Sequence, residues 1–194
     1  MEKIDPGVAT VPEEKQTKKK VVPTLMFVKG TVVASDTEEA LDLYATGRFG
    51  YLAEDNSLHF SLNEALFLLE KGRATVLDGR RQVLDKQIFI KRAERIEPNF
   101  FVRYAVYRDM RGRGYIVKTA LKFGGDFRVY DRGVKPGDDH ARWILYPVSE
   151  GSVLTWHEFA AKNRVAHSTK KRLLIGVVDD EGDISYWEIR WIRP

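Results

Sequence analysis

RGRGYIVKTALKFGGDFRVYDRGVKPGDDH, residues 111–140, passes from a helix end through two strands into an acidic loop. Arg111-Gly112-Arg113-Gly114 reads as the close of a helix, because glycine ends helical runs. Tyr115-Ile116-Val117 is aromatic and β-branched, Gly124-Gly125 is a turn, and Phe127-Arg128-Val129-Tyr130 is a second strand. Lys135-Pro136-Gly137-Asp138-Asp139 is turn chemistry, and the loop closes on His140. A tyrosine at a strand end and a histidine on the adjoining loop put two titratable groups where they can converge on a ligand. Arg113, Lys118, Lys122, Arg128 and Arg132 surround them, which predicts an anionic substrate.

Upstream, Phe100 to Met110 reads as a helix begun at Pro98, turning Phe101, Tyr104, Ala105 and Tyr107 to a core. The charged segment Asp78 to Glu97, helical in its second half, joins two halves of the chain, with a boundary near Arg95. Thr24 to Ala34 is a strand pair bent at Gly30, and Asn56–Phe60 and Ala74–Leu77 are short strands. Asp36-Thr37-Glu38-Glu39 and Ser61-Leu62-Asn63-Glu64 are capping-box patterns. The first opens a helix through Leu41, Leu43 and Tyr44 to Gly47. The second opens a helix with Leu62, Ala65, Leu66, Leu68 and Leu69 on one apolar stripe, stopped by Gly72. Residues 1–20 hold two prolines and end in Lys18-Lys19-Lys20; too little apolar surface is present to offset ordering, which predicts a disordered, lysine-rich tail.

Downstream, Arg142–Val148 reads as a buried strand ended by Pro147. Thr155–His167 reads as an amphipathic helix with Trp156, Phe159, Ala160 and Val165 inward. Leu173–Val178 is a strand, Asp180–Asp183 a tight hairpin tip with Gly182 supplying positive φ, and Ile184–Ile192 the return strand. Alternation puts Trp187, Ile189 and Trp191 on one face of that strand and Tyr186, Glu188 and Arg190 on the other. The fold class expected is mixed, α+β or α/β. It comprises the tail at 1–20, a small N-terminal mixed α/β domain at 21–95, and a C-terminal α/β domain at 96–194 with a mixed central sheet.

The 194 residues carry a net charge of +4 and no cysteine. Disulfides and thiolate metal sites are therefore excluded, and a cytoplasmic protein is expected. No run approaches the ~20 apolar residues of a membrane span, and the N-terminus has no apolar signal core. The modest positive balance is a mild hint of nucleic acid. The four histidines (His59, His140, His157 and His167) show no paired-ligand spacing. Asp179, Asp180, Glu181 and Asp183 could gather Mg²⁺, but a hairpin tip is too exposed for a catalytic cage. The Arg-Gly-Arg-Gly run matches neither glycine fingerprint for phosphates. General acid–base work on a phosphodiester, with neither metal nor cofactor, is the class that remains.

The run RGRGYIVKTALKFGGDFRVYDRG, then His140, then RVAHSTKKRLLIGVVDDEGD, resembles the archaeal-type tRNA splicing endonucleases, the tRNA-intron endonuclease family. LYATGRFGYLAEDNSLHFSLNEALFLLEKG resembles the first domain of the same family, so the likeness covers roughly residues 35–194. It implies a nuclease-like C-terminal domain and a catalytic subunit, with the family's tyrosine on Tyr130, its histidine on His140 and its lysine on Lys171. The implied reaction is cleavage of precursor tRNA at the intron–exon junctions of a bulge–helix–bulge, without metal. A 2′-hydroxyl attacks the adjacent phosphorus, leaving a 2′,3′-cyclic phosphate and a 5′-hydroxyl. An imidazole, near pKa ~6.5, suits the acid, whereas a phenol, near ~10, is a poor base unless cations lower it.

The resemblance further implies an extruded base held between Arg164 and Trp191, a stack of about 1–3 kcal/mol. It implies a four-subunit assembly too, either a homotetramer or two copies with two partner subunits. The acidic hairpin Asp179, Asp180, Glu181 and Asp183 would dock in a basic groove of a neighbour, and the aromatic C-terminal strand would form a two-fold interface. His167, at a helix end, is set aside as a capping residue. The rival readings are an RNA-binding structural subunit that needs a partner, and a Mg²⁺-dependent nuclease.

Overall fold

In the computed structural model, residues 21–34, 37–120 and 125–192 are described. The expected tail, Asp36, Lys122 and Gly124 lie outside them. β1 (Thr24–Val28) and β2 (Thr31–Ala34) form a hairpin whose two turn residues, Lys29 and Gly30, have φ of 49° and 85°. Positive φ at both positions matches the turn to the strands' twist. α1 (Glu38–Gly47) is capped by Thr37, whose side chain accepts from Ala40 N; the pattern begun at Asp36 is thus a single cap and not a box. β3 (Tyr51–Leu52) and β4 (Leu58–Phe60) lead to α2 (Leu62–Glu70), where the Ser61–Glu64 capping box closes as expected. β5 (Thr75–Asp78) lies parallel to β1, giving a sheet of order β3-β4-β2-β1-β5.

α3 (Lys86–Glu94) and α4 (Phe100–Gly112) follow, α4 entered through Asn99 in the left-handed region and not at Pro98. β6 (Ile116–Thr119), β7 (Phe127–Tyr130), β8 (Trp143–Ser149), α5 (Trp156–Ser168), β9 (Arg172–Val178) and β10 (Ile184–Ile189) complete the chain. The second sheet runs β10-β9-β8-β7-β6, with only β8 and β9 parallel and α5 crossing between them. A Cβ at Gly125 would collide with the Ile144 side chain, so the approach of the chain to β7 requires glycine. The architecture is α+β, with two mixed sheets and five helices among the described residues, and no helix among them is long and apolar enough to cross a membrane.

α4 is the spine between the sheets. Phe100, Tyr104, Val106 and Tyr107 are buried in one core that runs from Leu25 and Phe27, through Leu66 and Phe89, to Phe127, Val129, Leu145 and Leu174. Each fully buried large apolar side chain contributes about 1.5–3 kcal/mol, so this shared core dominates the packing. Polar pins span the same seam. Lys118 Nζ reaches Glu64 Oε1 at 3.0 Å and the Gly50 carbonyl at 2.6 Å. Arg111 donates to the Gly47 carbonyl at 2.8 Å and lies 3.8 Å over the Phe49 ring.

Two expectations about the C-terminal half are corrected. β8 does not stop at Pro147 but runs to Ser149. Its last pair with β7 is Leu145 with Phe127, so Pro147 lies where that ladder has ended and its missing N–H is not needed. α5 is less amphipathic than its sequence suggests: Trp156 is 84% exposed, Ala160 is exposed, Phe159 and Val165 are only half-buried, and Ala166 is the buried residue. The small core beneath α5 is built from Ile144, Tyr146, Leu173 and Ile175 of the sheet.

Candidate active site

Three strand ends meet at one place. β7 is antiparallel to β8 and β8 is parallel to β9, so the last residue of β7 lies beside the first residues of β8 and β9. Tyr130 ends β7, His140 and Ala141 precede β8, and Lys171 immediately precedes β9. Arg128, Tyr130, His140 and Lys171, with Gly137, Asp138, Asp139 and Ala141, line one pocket of ≈ 380 Å³. Arg128 pairs in register with Ile144, which faces the α5-side core, and Lys171 is two residues before Leu173 of the same core. Strand alternation therefore sends Arg128, Tyr130 and Lys171 to one face. The expected trio of Tyr130, His140 and Lys171 is brought together.

Each member is positioned differently. Tyr130 is 5% exposed, a ring held at the pocket's floor. His140 is exposed on a loop held by the Pro136–Asp139 bridge, and its backbone N–H donates to Asp139 Oδ1 at 2.6 Å. Lys171 is fixed by the way α5 ends. Lys170 is in the left-handed region at φ 55°, its N–H donates to the His167 carbonyl at 2.9 Å, and the Lys171 N–H donates to the Ala166 carbonyl at 2.9 Å. These two bonds are a Schellman closure with a lysine where glycine is usual. Lys171 Nζ donates to the Thr169 carbonyl at 2.8 Å, at the helix end whose dipole favours a cation. Burial, then the charge of Arg128, lowers the Lys171 pKa from its ordinary value.

The closure has a testable consequence. Lys170→Val is expected to lose about 1–2 kcal/mol, the penalty of the left-handed region for a β-branched residue, and to displace Lys171. Lys170→Gly should hold the closure and gain up to about 1 kcal/mol. Thermal melts of both variants check this.

Of the basic residues expected around the loop, Arg128 alone among the described ones lines the pocket. Lys118 is neither a phosphate contact nor a surface charge, being committed to Glu64. Arg113 pairs with Asp109 at 2.7 Å, and Arg132 lies 5.1 Å over the Tyr115 ring. Beside the pocket, Glu188 on β10 accepts from Trp143 Nε1 at 2.8 Å and Arg172 at 3.1 Å. Partial burial pushes its pKa up, but the bonds from Trp143, Arg190 and Arg172 win and lower it from 4.5 to about 2. This carboxylate ties β8, β9 and β10 together just behind Lys171. Nothing in the spacing of the sequence points to it.

The other expected residues fall elsewhere. Arg164 is exposed on α5, and Trp191 packs against His167, ring centroids 5.5 Å apart. His167 is one helical turn beyond Arg164, so Trp191 meets the same helix end. The His167 ring therefore has an aromatic partner in Trp191. Asp179 Oδ1 accepts from the N–H groups of Glu181 at 3.0 Å and Asp183 at 2.8 Å, and Asp180 N donates to Glu150. One carboxylate oxygen from each of Asp179, Glu181 and Asp183 lies within 4.8 Å of the others. A groove of ≈ 660 Å³ between the two sheets is lined by Lys71, Arg73 and Arg111 around Phe49 and Phe67, which the sequence did not suggest. Ser57 bonds both Asp55 and His59, but Asp55 holds the serine and not the imidazole, so no activated nucleophile is built.

Two family models match the chain. The tRNA intron endonuclease N-terminal domain covers residues 25–89, and the catalytic C-terminal domain of the same family covers residues 100–186. A tRNA-splicing endonuclease of Nanoarchaeum equitans is 44% identical over 149 residues, covering 74% of this chain and 94% of that protein. Those of Thermococcus gammatolerans and Pyrococcus abyssi are 37% and 38% identical, over 87% and 90% of this chain and 98% and 99% of theirs. With both domain models matched in order and near full-length relatives at this identity, the chain belongs to the tRNA intron endonuclease family.

Proposed function

We propose that this chain is the catalytic subunit of a tRNA-splicing endonuclease, cutting precursor tRNA at the intron–exon junctions of a bulge–helix–bulge without a metal ion. The observation that carries the reading is the convergence of Tyr130, His140 and Lys171 on one pocket. The substrate's own 2′-hydroxyl is the nucleophile, so the protein supplies alignment, proton transfer and charge. Tyr130 takes the 2′-hydroxyl proton as the new O–P bond forms. Lys171 meets the extra negative charge on phosphorus. His140 gives a proton to the 5′-oxygen as its bond to phosphorus breaks, leaving a 2′,3′-cyclic phosphate and a 5′-hydroxyl. The test is incubation of the purified chain alone with a bulge-containing RNA in excess EDTA, followed by end-group analysis. Cleavage that stops in EDTA would point to a metal nuclease. Cleavage that needs an added partner chain would make this a structural RNA-binding subunit.

The substrate is read by shape and by extruded bases, with Arg164 and Trp191 stacking one of them. The contact of Trp191 with His167 beside Arg164 supports that pairing. Assembly into four subunits, as a homotetramer or with two partner subunits, would seat the hairpin of Asp179, Asp180, Glu181 and Asp183 in the groove of Lys71, Arg73 and Arg111. Their opposite charges support the match. Trp187 and Trp191, 63% and 42% exposed, support a second contact through the C-terminal strand. Converting Asp180 and Glu181 to lysine is expected to halve the mass measured by light scattering; an unchanged mass removes the hairpin from the interface. The division near Arg95 and a cytoplasmic setting belong to the same proposal. The break between α3 and α4 supports the first and the absence of cysteine the second.

A further inference from the structure

Arg128 stands two residues before Tyr130 on β7, so the two side chains leave the same face of the sheet. It is half-buried, lines the pocket with Tyr130, His140 and Lys171, and donates from Nε to the Thr119 carbonyl at 3.2 Å. That tether orients a planar guanidinium, whose donor fork matches the oxygens of a phosphate. Arg128 is also close enough to Lys171 for the two like charges to act on one another. Two cations side by side at one half-buried strand end both favour an anion that enters the pocket. Asp138 and Asp139 line the same pocket, and Asp139 Oδ1 is turned back onto the His140 N–H.

We propose that Arg128 and Lys171 together form the seat for the substrate phosphate, Arg128 gripping it as a fork and Lys171 meeting it as a point charge. This rests on the reading of the pocket as a site of RNA cleavage and adds a fourth residue with two duties. Arg128 touches the phosphate, and its charge adds to burial in lowering the Lys171 pKa.

The test uses Arg128→Gln and Arg128→Lys, with thermal melts to establish that each is folded, and kcat and KM measured on a bulge-containing RNA across the alkaline range. Arg128→Gln is expected to lower kcat/KM about ten- to hundredfold, the loss of a charge-assisted contact. Most of the loss falls on kcat, because charge on phosphorus grows in the transition state. The alkaline limb of its profile should also move to higher pH. The other titratable groups lining the pocket with Lys171 are Tyr130 from β7 and Asp138, Asp139 and His140 from the loop. Arg128→Lys should hold the limb where it is and recover only part of kcat/KM. Titration of Lys171 Nζ by NMR, without RNA, should show the same upward move in Arg128→Gln.

Wild-type kcat/KM in Arg128→Gln overturns the inference. So does an unmoved Lys171 midpoint, which is the result expected of a mere brace between β7 and β6 that only lowers the melting temperature. Tyr130→Phe and His140→Ala measured in parallel separate this from the parent reading. If they cleave at the wild-type rate, the pocket is not the site of cleavage. If they are inactive while Arg128→Gln is normal, only the role of Arg128 fails.

Discussion

His140→Ala is expected to lower cleavage of a bulge-containing RNA by about 10²–10⁴-fold, the usual worth of a general acid, while RNA binding stays within about twofold. The geometry separates the two effects. His140 is exposed on its loop, and the bond that shapes the turn is made by its backbone N–H to Asp139. Alanine retains that bond, so the stability change should remain within about 0.5 kcal/mol, as for most exposed positions. The lost function is one proton delivered to the departing 5′-oxygen. An RNA carrying sulfur in place of that 5′-oxygen needs no such proton, because a thiol, near pKa ~8.5, leaves as the thiolate. On the sulfur substrate His140→Ala should therefore approach the wild-type rate, whereas Lys171→Ala should remain impaired. Equal defects of His140→Ala on the oxygen and sulfur substrates would remove the acid role.

How far the site could be read from the sequence depended on the distance over which its parts are joined. β7 was legible to the residue, since Phe127-Arg128-Val129-Tyr130 alternates between two faces and the structure pairs it so. The Ser61–Glu64 box and the glycine of the hairpin tip were legible for the same reason, being local chemistry. A strand end and its adjoining loop already set Tyr130 near His140, but Lys171 follows from the resemblance alone, and no pattern in the sequence brings it to the other two. Their meeting depends on the parallel register of β8 on β9, which sets Trp143 beside Arg172 across the crossover of α5. Long-range polar partners were illegible likewise. Lys118 looked like one of several cations around an anion site until the fold carried it to Glu64, a partner 54 residues away. Trp156 was assigned inward by helical spacing, yet the sheet beneath α5 offers it no cover, and it stays exposed.

Glu64→Ala is expected to lose about 3–5 kcal/mol of unfolding free energy, a large share of the ~5–15 kcal/mol typical of a whole domain. Glu64 is 5% exposed and uses both oxygens. Oε1 accepts from Gly50 N at 3.0 Å and from Lys118 Nζ at 3.0 Å, and Oε2 accepts from Ser61 N at 3.0 Å and Ser61 Oγ at 3.0 Å. Removing it opens the capping box of α2, orphans a backbone donor and leaves the ammonium of Lys118 with a single carbonyl partner at the seam between the sheets. Lys118→Ala should cost less, because Glu64 retains its donors from Gly50 and Ser61. Replacing both should cost little more than Glu64→Ala alone, since the ammonium left uncompensated by the single change is then gone; urea unfolding of the two single variants and the double gives the coupling. The consequence reaches the pocket because Lys118 is paired in register with Arg128. Loosening the pin frees the strand that holds Arg128 and Tyr130 in line, so Glu64→Ala should lose cleavage at urea concentrations where most of its molecules are still folded. Stability within about 0.5 kcal/mol of wild type in Glu64→Ala would mean that the shared apolar core around α4 joins the sheets unaided.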